Sequence, residues 1–147
     1  HASLAPSEMC IRDSARILAE RLSEKDLDYI NILLNDYRSN GRREVENEEN
    51  RLKSLKNVIG NRTTVIAGGS IYTPEDGVDA LNKGADLVTI GRELIIEPDW
   101  VKKVQENKIN NLRTEMKFED KEDLKIPENL WNIIWNTPGW FPGVEAK

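Results

Sequence analysis

Two short stretches hold residues able to grip an anion. In Gly68-Gly69-Ser70 the missing Cβ atoms let the backbone come close to a ligand, and successive N–H groups can donate to it. At Gly91-Arg92 the chain turns straight into a helical segment, whose first N–H groups carry partial positive charge, and Arg92 adds a guanidinium suited to a phosphate. Each turn follows a short run rich in β-branched residues, Thr63-Thr-Val-Ile-Ala67 and Asp86-Leu-Val-Thr-Ile90. One such turn is commonly no more than a tight link between strand and helix. Two on successive strands, the second with an arginine, point to a phosphorylated ligand and say nothing of the reaction.

The other groups that could do chemistry read more plainly. Glu46, Glu48 and Glu49 beside Asp36 have no His or Cys to accompany them, so they read as a solvated face and not as a metal site. Asp76 and Asp86 sit at helix and strand ends, where capping explains them. Tyr72 follows the first glycine turn but has no assigned role. The one histidine, His1, is terminal, and Cys10 has no partner for a disulfide. No metal site and no catalytic residue is assigned.

The elements that carry the glycine turns alternate between helix and strand. Ala15, Leu18, Ala19 and Leu22 fall on one face of a helix, and residues 27–34 read as a strand buried on both sides. Residues 35–50 form a polar loop. A helix then turns Leu52, Leu55 and Ile59 inward and stops at Gly60. Thr73-Pro-Glu-Asp76 is a strong helix start, with Val78 and Leu81 expected inward and Lys83-Gly84 closing it. After Gly91-Arg92 a helical segment is broken by Pro98 and resumes with Trp100, Val101 and Val104 on one face. Residues 109–125 read as a charged, solvated connector. Pro127 opens a last helix with Leu130, Trp131, Ile134 and Trp135 inward, and Thr137–Gly143 ends the order. Helical spacing assigns the tryptophans to packing, with a subunit contact at Trp140 and Phe141 as the alternative.

The chain has 147 residues, a net charge of −5 and a single cysteine. The acidic balance argues against a nucleic-acid or anionic-membrane partner. With a mean hydropathy of −0.61 no transmembrane helix is expected, and a lone cysteine suits a reduced, cytoplasmic setting. Because residue 1 is His, the chain is expected to be a fragment, a processed form or an incomplete gene product. Residues 1–14 show no sustained period, and Ser7–Ser14 resembles translated sequencing-adaptor DNA; the segment is expected to be unstructured.

Strand–helix repeats about this close mean βα units on a parallel sheet, either doubly wound or part of a (β/α)8 barrel. Neither G-x-G-x-x-G nor a P-loop occurs. Glycine turns after two consecutive strands match the loops after barrel strands seven and eight, which often hold a phosphate.

Val65-Ile-Ala-Gly-Gly-Ser-Ile-Tyr-Thr-Pro-Glu-Asp76, Lys83-Gly-Ala-Asp-Leu-Val-Thr-Ile-Gly-Arg-Glu-Leu94 and Glu97-Pro-Asp-Trp100, in that order, resemble the C-terminal part of the Old Yellow Enzyme family. The tail, with Ile126-Pro-Glu-Asn-Leu-Trp131 and Asn136-Thr-Pro-Gly-Trp-Phe-Pro142, is similar to that of its NADH-dependent flavin oxidoreductase branch. The resemblance implies an α/β fold that is a partial (β/α)8 TIM barrel: strands six to eight with their helices over residues 15–108, then a connector, a Trp-rich helix and a tail over 109–147. It implies FMN, held at its phosphate by Gly68, Gly69, Ser70, Gly91 and Arg92, with NADH or NADPH as hydride donor and an activated alkene or other small molecule as acceptor. The family's substrate-orienting histidine pair, tyrosine proton donor and basic residue near the flavin lie in the earlier part, so this chain is expected to be inactive alone, and the complete enzyme a possible homo-oligomer. Two alternatives stand beside this reading: another phosphate-binding barrel, such as a sugar-phosphate isomerase or aldolase, and a catalytically silent ligand-binding fragment.

Overall fold

The structure, a computed structural model, describes residues 6–40 and 49–145, with side chains from residue 13 onward. His1, Cys10, Glu46 and Glu48 therefore lie outside what it describes at side-chain level. The elements run α1 (Pro6–Ser23), β1 (Tyr29–Leu33), α2 (Arg51–Ile59), β2 (Thr64–Gly68), α3 (Pro74–Asn82), β3 (Leu87–Thr89), α4 (Glu93–Ile96), α5 (Trp100–Gln105), α6 (Lys121–Leu124) and α7 (Glu128–Trp135). They fall into two compact units, one of residues up to 69 with 77–89, the other of 70–76 with 90 onward.

In the first unit three parallel strands form one sheet in the order β1-β2-β3. Ile32 lies opposite Ala67, and Ala67 opposite Val88. Alternation along the strands sends Ile32, Val65 and Ala67 to the face that meets Ala19, Leu52, Ile59 and Ala85 in a buried cluster. β1 was expected to be buried on both sides. Instead it has one covered face: Leu33 is 71% and Tyr29 57% exposed, because helices cover only one side of this sheet among the described residues.

Two helices turn a different face inward from the one their apolar spacing predicts. On α1, Ala19 and Ser23 are buried while Ala15 and Leu18 are exposed. The small pair lets α1 approach closely, and Arg16 reaches across to donate to Ser54 Oγ at 3.3 Å. On α3, Gly77 and Ala80 are buried, whereas Val78 and Leu81 are 56% and 43% exposed. α1 also begins eight residues upstream of Ser14, so residues 6–14, expected to be unstructured, are helical. Pro6 suits the first helical position, and no breaker follows it before Ser23. The expected polar loop after β1 buries Tyr37 to 1% exposure. At the base of the sheet the Asp86 carboxylate accepts from the Val65 N–H and from Lys56 Nζ, both at 2.8 Å, and so ties β2 and α2 to the start of β3.

The second unit gathers around Ile96, Met116, Ile126, Trp131, Ile134, Phe141 and Val144, all buried, with Tyr72 and Trp135 packed against them. α7 turns Trp131 and Ile134 inward, as its spacing predicts. Residues 109–125 are not a solvated connector. Met116 is 1% exposed, and Arg113 is held by Glu97 at 3.7 Å, Asp120 at 3.6 Å and Asp123 at 2.8 Å. Phe118, Trp131 and Trp135 form an aromatic trio with centroids 5.3–5.8 Å apart. On α5, Trp100 and Val104 are half-buried but Val101 is 53% exposed.

Candidate functional site

The first glycine turn closes β2. Gly68, the last strand residue, is buried, and an added Cβ would strike the Thr89 methyl group. Gly69 has φ +135, and a Cβ there would run into the Leu34 carbonyl. Its own carbonyl accepts from the Tyr37 N–H at 3.1 Å, while that of Gly68 accepts from Leu34 at 2.9 Å. Close packing thus accounts for both glycines without a ligand, against Thr89 of β3 at Gly68 and against the β1–α2 loop at Gly69.

Gly91 is different. Its φ is not in the left-handed region, and an added Cβ would meet nothing within 4 Å. Among the described residues nothing requires a glycine there, and the space beside its Cα is open.

Ser70, Gly91 and Arg92 belong to the same unit, which brings Ser70 and Arg92 together. Arg92 Nη2 donates toward Ser70 Oγ at 3.4 Å, and Nη1 donates to the Trp140 carbonyl at 2.7 Å. The guanidinium carbon lies 5.9 Å from the centroid of the Tyr72 ring. Ser70 has φ +54, a left-handed conformation that costs a non-glycine residue roughly 1–2 kcal/mol. The turn below is built firmly. Asp76 accepts from the N–H groups of Tyr72 and Thr73, both at 2.9 Å, and its own N–H donates to Thr73 Oγ1 at 3.2 Å, so the helix start expected at Thr73-Pro-Glu-Asp76 is closed by a reciprocal cap. Trp100 Nε1 donates to the Tyr72 carbonyl at 2.8 Å.

The expected helix N-terminus after Gly91 needs correction. α4 is a single turn, Glu93–Ile96, before Pro98 interrupts it, so few peptide dipoles align and Arg92 supplies most of the positive charge. Two further groups carried no spacing signal, the Trp140 carbonyl and Glu93, while the spacing of Trp100 pointed to packing and not to the hydrogen bond of its indole. Glu93 is fully buried, and neither carboxylate oxygen has a hydrogen-bond partner among the described residues. Burial, and next the charges of Glu97 and Asp76, push its carboxyl up to about 8. An acid wedged between Gly91-Arg92 and the apolar Leu94-Ile-Ile96 was the one hint the residue order offered.

Asp36 accepts from Arg38 and Glu49 from Asn57, ordinary surface partners for both. Phe141 is 2% exposed within its own unit, so it is not available to a neighbouring subunit, while Trp140 is 38% exposed. No helix among the described residues is long and apolar enough to cross a membrane.

The sequence model of the NADH:flavin oxidoreductase / NADH oxidase family matches residues 8–111. A probable NADH-dependent flavin oxidoreductase of Bacillus subtilis is 38% identical over 125 residues, which are 85% of this chain and 34% of that protein. An NADH:acrylate oxidoreductase of Vibrio harveyi is 29% identical over 128 residues, 83% of this chain and 12% of that protein. The chain thus spans about a third of the one relative and about an eighth of the other.

Proposed function

The chain belongs to the NADH:flavin oxidoreductase / NADH oxidase family, and from that premise we propose that it is the phosphate-binding, C-terminal portion of an FMN-dependent NADH oxidoreductase. FMN and NADH are the cofactors of the family. Its fold is a (β/α)8 barrel, of which β1, β2 and β3 would be strands six to eight. The uncovered apolar sheet face, with Tyr29, Leu33 and Leu87 all more than half exposed, suits a sheet that continues into further strands and encloses that face. Family membership gives no support to a sugar-phosphate isomerase or aldolase.

The observation that carries the reading is Arg92 held beside Ser70 next to the unexplained open space at Gly91. Arg92 supplies a fixed positive charge with forked donors for two phosphate oxygens. The Ser70 hydroxyl, set by a strained backbone, offers a further donor, and bare Gly91 lets the anion approach the main chain. Gly68 and Gly69 lead directly into Ser70 along the chain, and the resemblance assigns them to the same phosphate. When bound, FMN would supply hydride transfer between a nicotinamide and a small-molecule acceptor. Acrylate, in the name of the Vibrio harveyi relative, is an activated alkene of the expected class. None of the described side chains is assigned to that transfer, and a cytoplasmic setting and assembly of the complete enzyme into a homo-oligomer belong to the same proposal.

FMN and riboflavin differ only by the phosphate, so titrating each into the purified chain isolates the proposed contact. FMN quenching of tryptophan fluorescence that riboflavin does not reproduce, and that Arg92→Ala abolishes, is the expected result. Equal response to both flavins would overturn the assignment.

A further inference from the structure

We propose that the C-terminal loop Thr137–Val144 sets the Arg92 guanidinium in place through the main-chain carbonyl of Trp140, making Trp140 a positioning residue for phosphate capture. The inference rests on reading Ser70, Gly91 and Arg92 as the phosphate site.

An arginine left to itself spreads over many rotamers, and immobilising it on a ligand costs binding free energy. Arg92 has its shortest contact with Trp140, at 2.7 Å from Nη1 to the carbonyl oxygen, across 48 residues of chain. That oxygen is itself fixed. The Trp140 N–H donates to Thr137 at 3.2 Å, Gly139 to Val144 at 2.9 Å, and Val144 to Phe141 at 3.2 Å, closing the loop on itself. Phe141 and Val144, each 2% exposed, anchor it in the buried cluster. The Met116 N–H donates to the Pro142 carbonyl at 2.9 Å, and Gly143, at φ +83, allows a crossing so close that a Cβ would strike the Met116 carbonyl.

The chemistry of the tether matters as much as its rigidity. A carboxylate partner would orient Arg92 but cancel its charge. A carbonyl orients it and leaves the charge intact for a phosphate dianion. A guanidinium has five N–H donors, and those not used by Trp140 and Ser70 remain to meet the ligand.

The test follows the Arg92 guanidinium by NMR in the isotope-labelled 147-residue chain while inorganic phosphate is added. In the parent the two Nη resonances of Arg92 should be separate at low temperature, because the carbonyl hinders rotation about Nε–Cζ. Phe141→Ala, which undocks the loop, should merge them and weaken phosphate binding by about fivefold, the scale of one lost ordering contact. Phe141→Leu should restore both. Merged resonances in the parent overturn the proposal without recourse to any variant, so an Ala variant that fails to fold does not shield it. A folded Phe141→Ala chain that binds phosphate as tightly as the parent overturns it as well. Separate resonances in a parent that binds no phosphate would instead bring down the phosphate reading, and the positioning role with it.

Discussion

Glu93 and Glu97 lie one helical turn apart and are both buried, yet only one of them is answered by the protein. Glu97 accepts from Lys103 Nζ at 2.5 Å and from the Arg113 N–H at 3.2 Å. Glu93 has no such partner on either oxygen among the described residues. Burial works against the charged form of both. At Glu97 the two cations outweigh it and hold the carboxyl below its ordinary value, whereas at Glu93 the acids Glu97 and Asp76 add to it.

The pair therefore gives stability two opposite slopes with pH. The folded chain keeps the Glu93 proton up to about pH 8, while the unfolded chain releases it near 4.5. Between those values the unfolded state binds fewer protons, so stability falls as pH rises and levels off above about 8. Glu93→Gln removes that slope. It should raise the stability of the chain at pH 8–9 by up to a few kcal/mol, on the order expected for a shift of this size, and change it little at pH 4. Urea denaturation of both proteins across pH 4–9 checks this, and parallel curves would refute it.

At Glu97 the sign is reversed. Its depressed carboxyl contributes stability that is present above its unfolded value and is lost as pH falls through the folded one. Glu97→Gln removes the buried counter-charge of Lys103, leaves Arg113 to Asp120 and Asp123, and should cost about 3 kcal/mol at neutral pH, typical of breaking one side of a buried pair. The difference should shrink toward pH 3. Thermal unfolding at the two pH values is the measurement.

Much of this was legible where the signal is local. The Thr73–Asp76 cap, the break at Pro98 and the helix opened by Pro127 each depend on a few adjacent residues, and each appears as expected. Inward faces were less legible, because they depend on how closely an element approaches its neighbour. Gly77 and Ala80 rather than Val78 and Leu81 form the buried face of α3, since small residues permit the closer approach. The charged run from 109 to 125 looked solvated because its anchors, Met116 and Arg113, act through contacts far along the chain. The same holds for the site: Arg92 and Ser70 could be named from their turns, but a main-chain carbonyl at Trp140 leaves no mark in residue identity.

The glycines of the two turns should respond differently to alanine. Gly68→Ala and Gly69→Ala must displace the Thr89 methyl group or the Leu34 carbonyl, and each should destabilise the chain by about 2 kcal/mol or more. Gly91→Ala meets open space at an ordinary φ and should leave stability within about 0.5 kcal/mol of the parent. Its methyl group nevertheless stands where the phosphate would approach, so FMN binding should drop at Gly91→Ala while the melting temperature holds. A loss of stability at Gly91 equal to that at Gly69 would mean a structural glycine.

The chain by itself should not turn over NADH. The resemblance places the residues for substrate orientation and proton donation in an earlier part of the family's barrel, and the one histidine of the sequence is His1. Holding a phosphate anchors a flavin but does not bring a nicotinamide to it, since hydride transfer needs the two rings stacked at near-contact distance. With FMN added, NADH oxidation by the purified chain, followed by absorbance under anaerobic conditions with an alkene acceptor, should match the rate of FMN alone. A protein-dependent rate that Arg92→Ala lowers would show that the chain assembles a working flavin site, and would overturn its reading as one portion of a larger barrel.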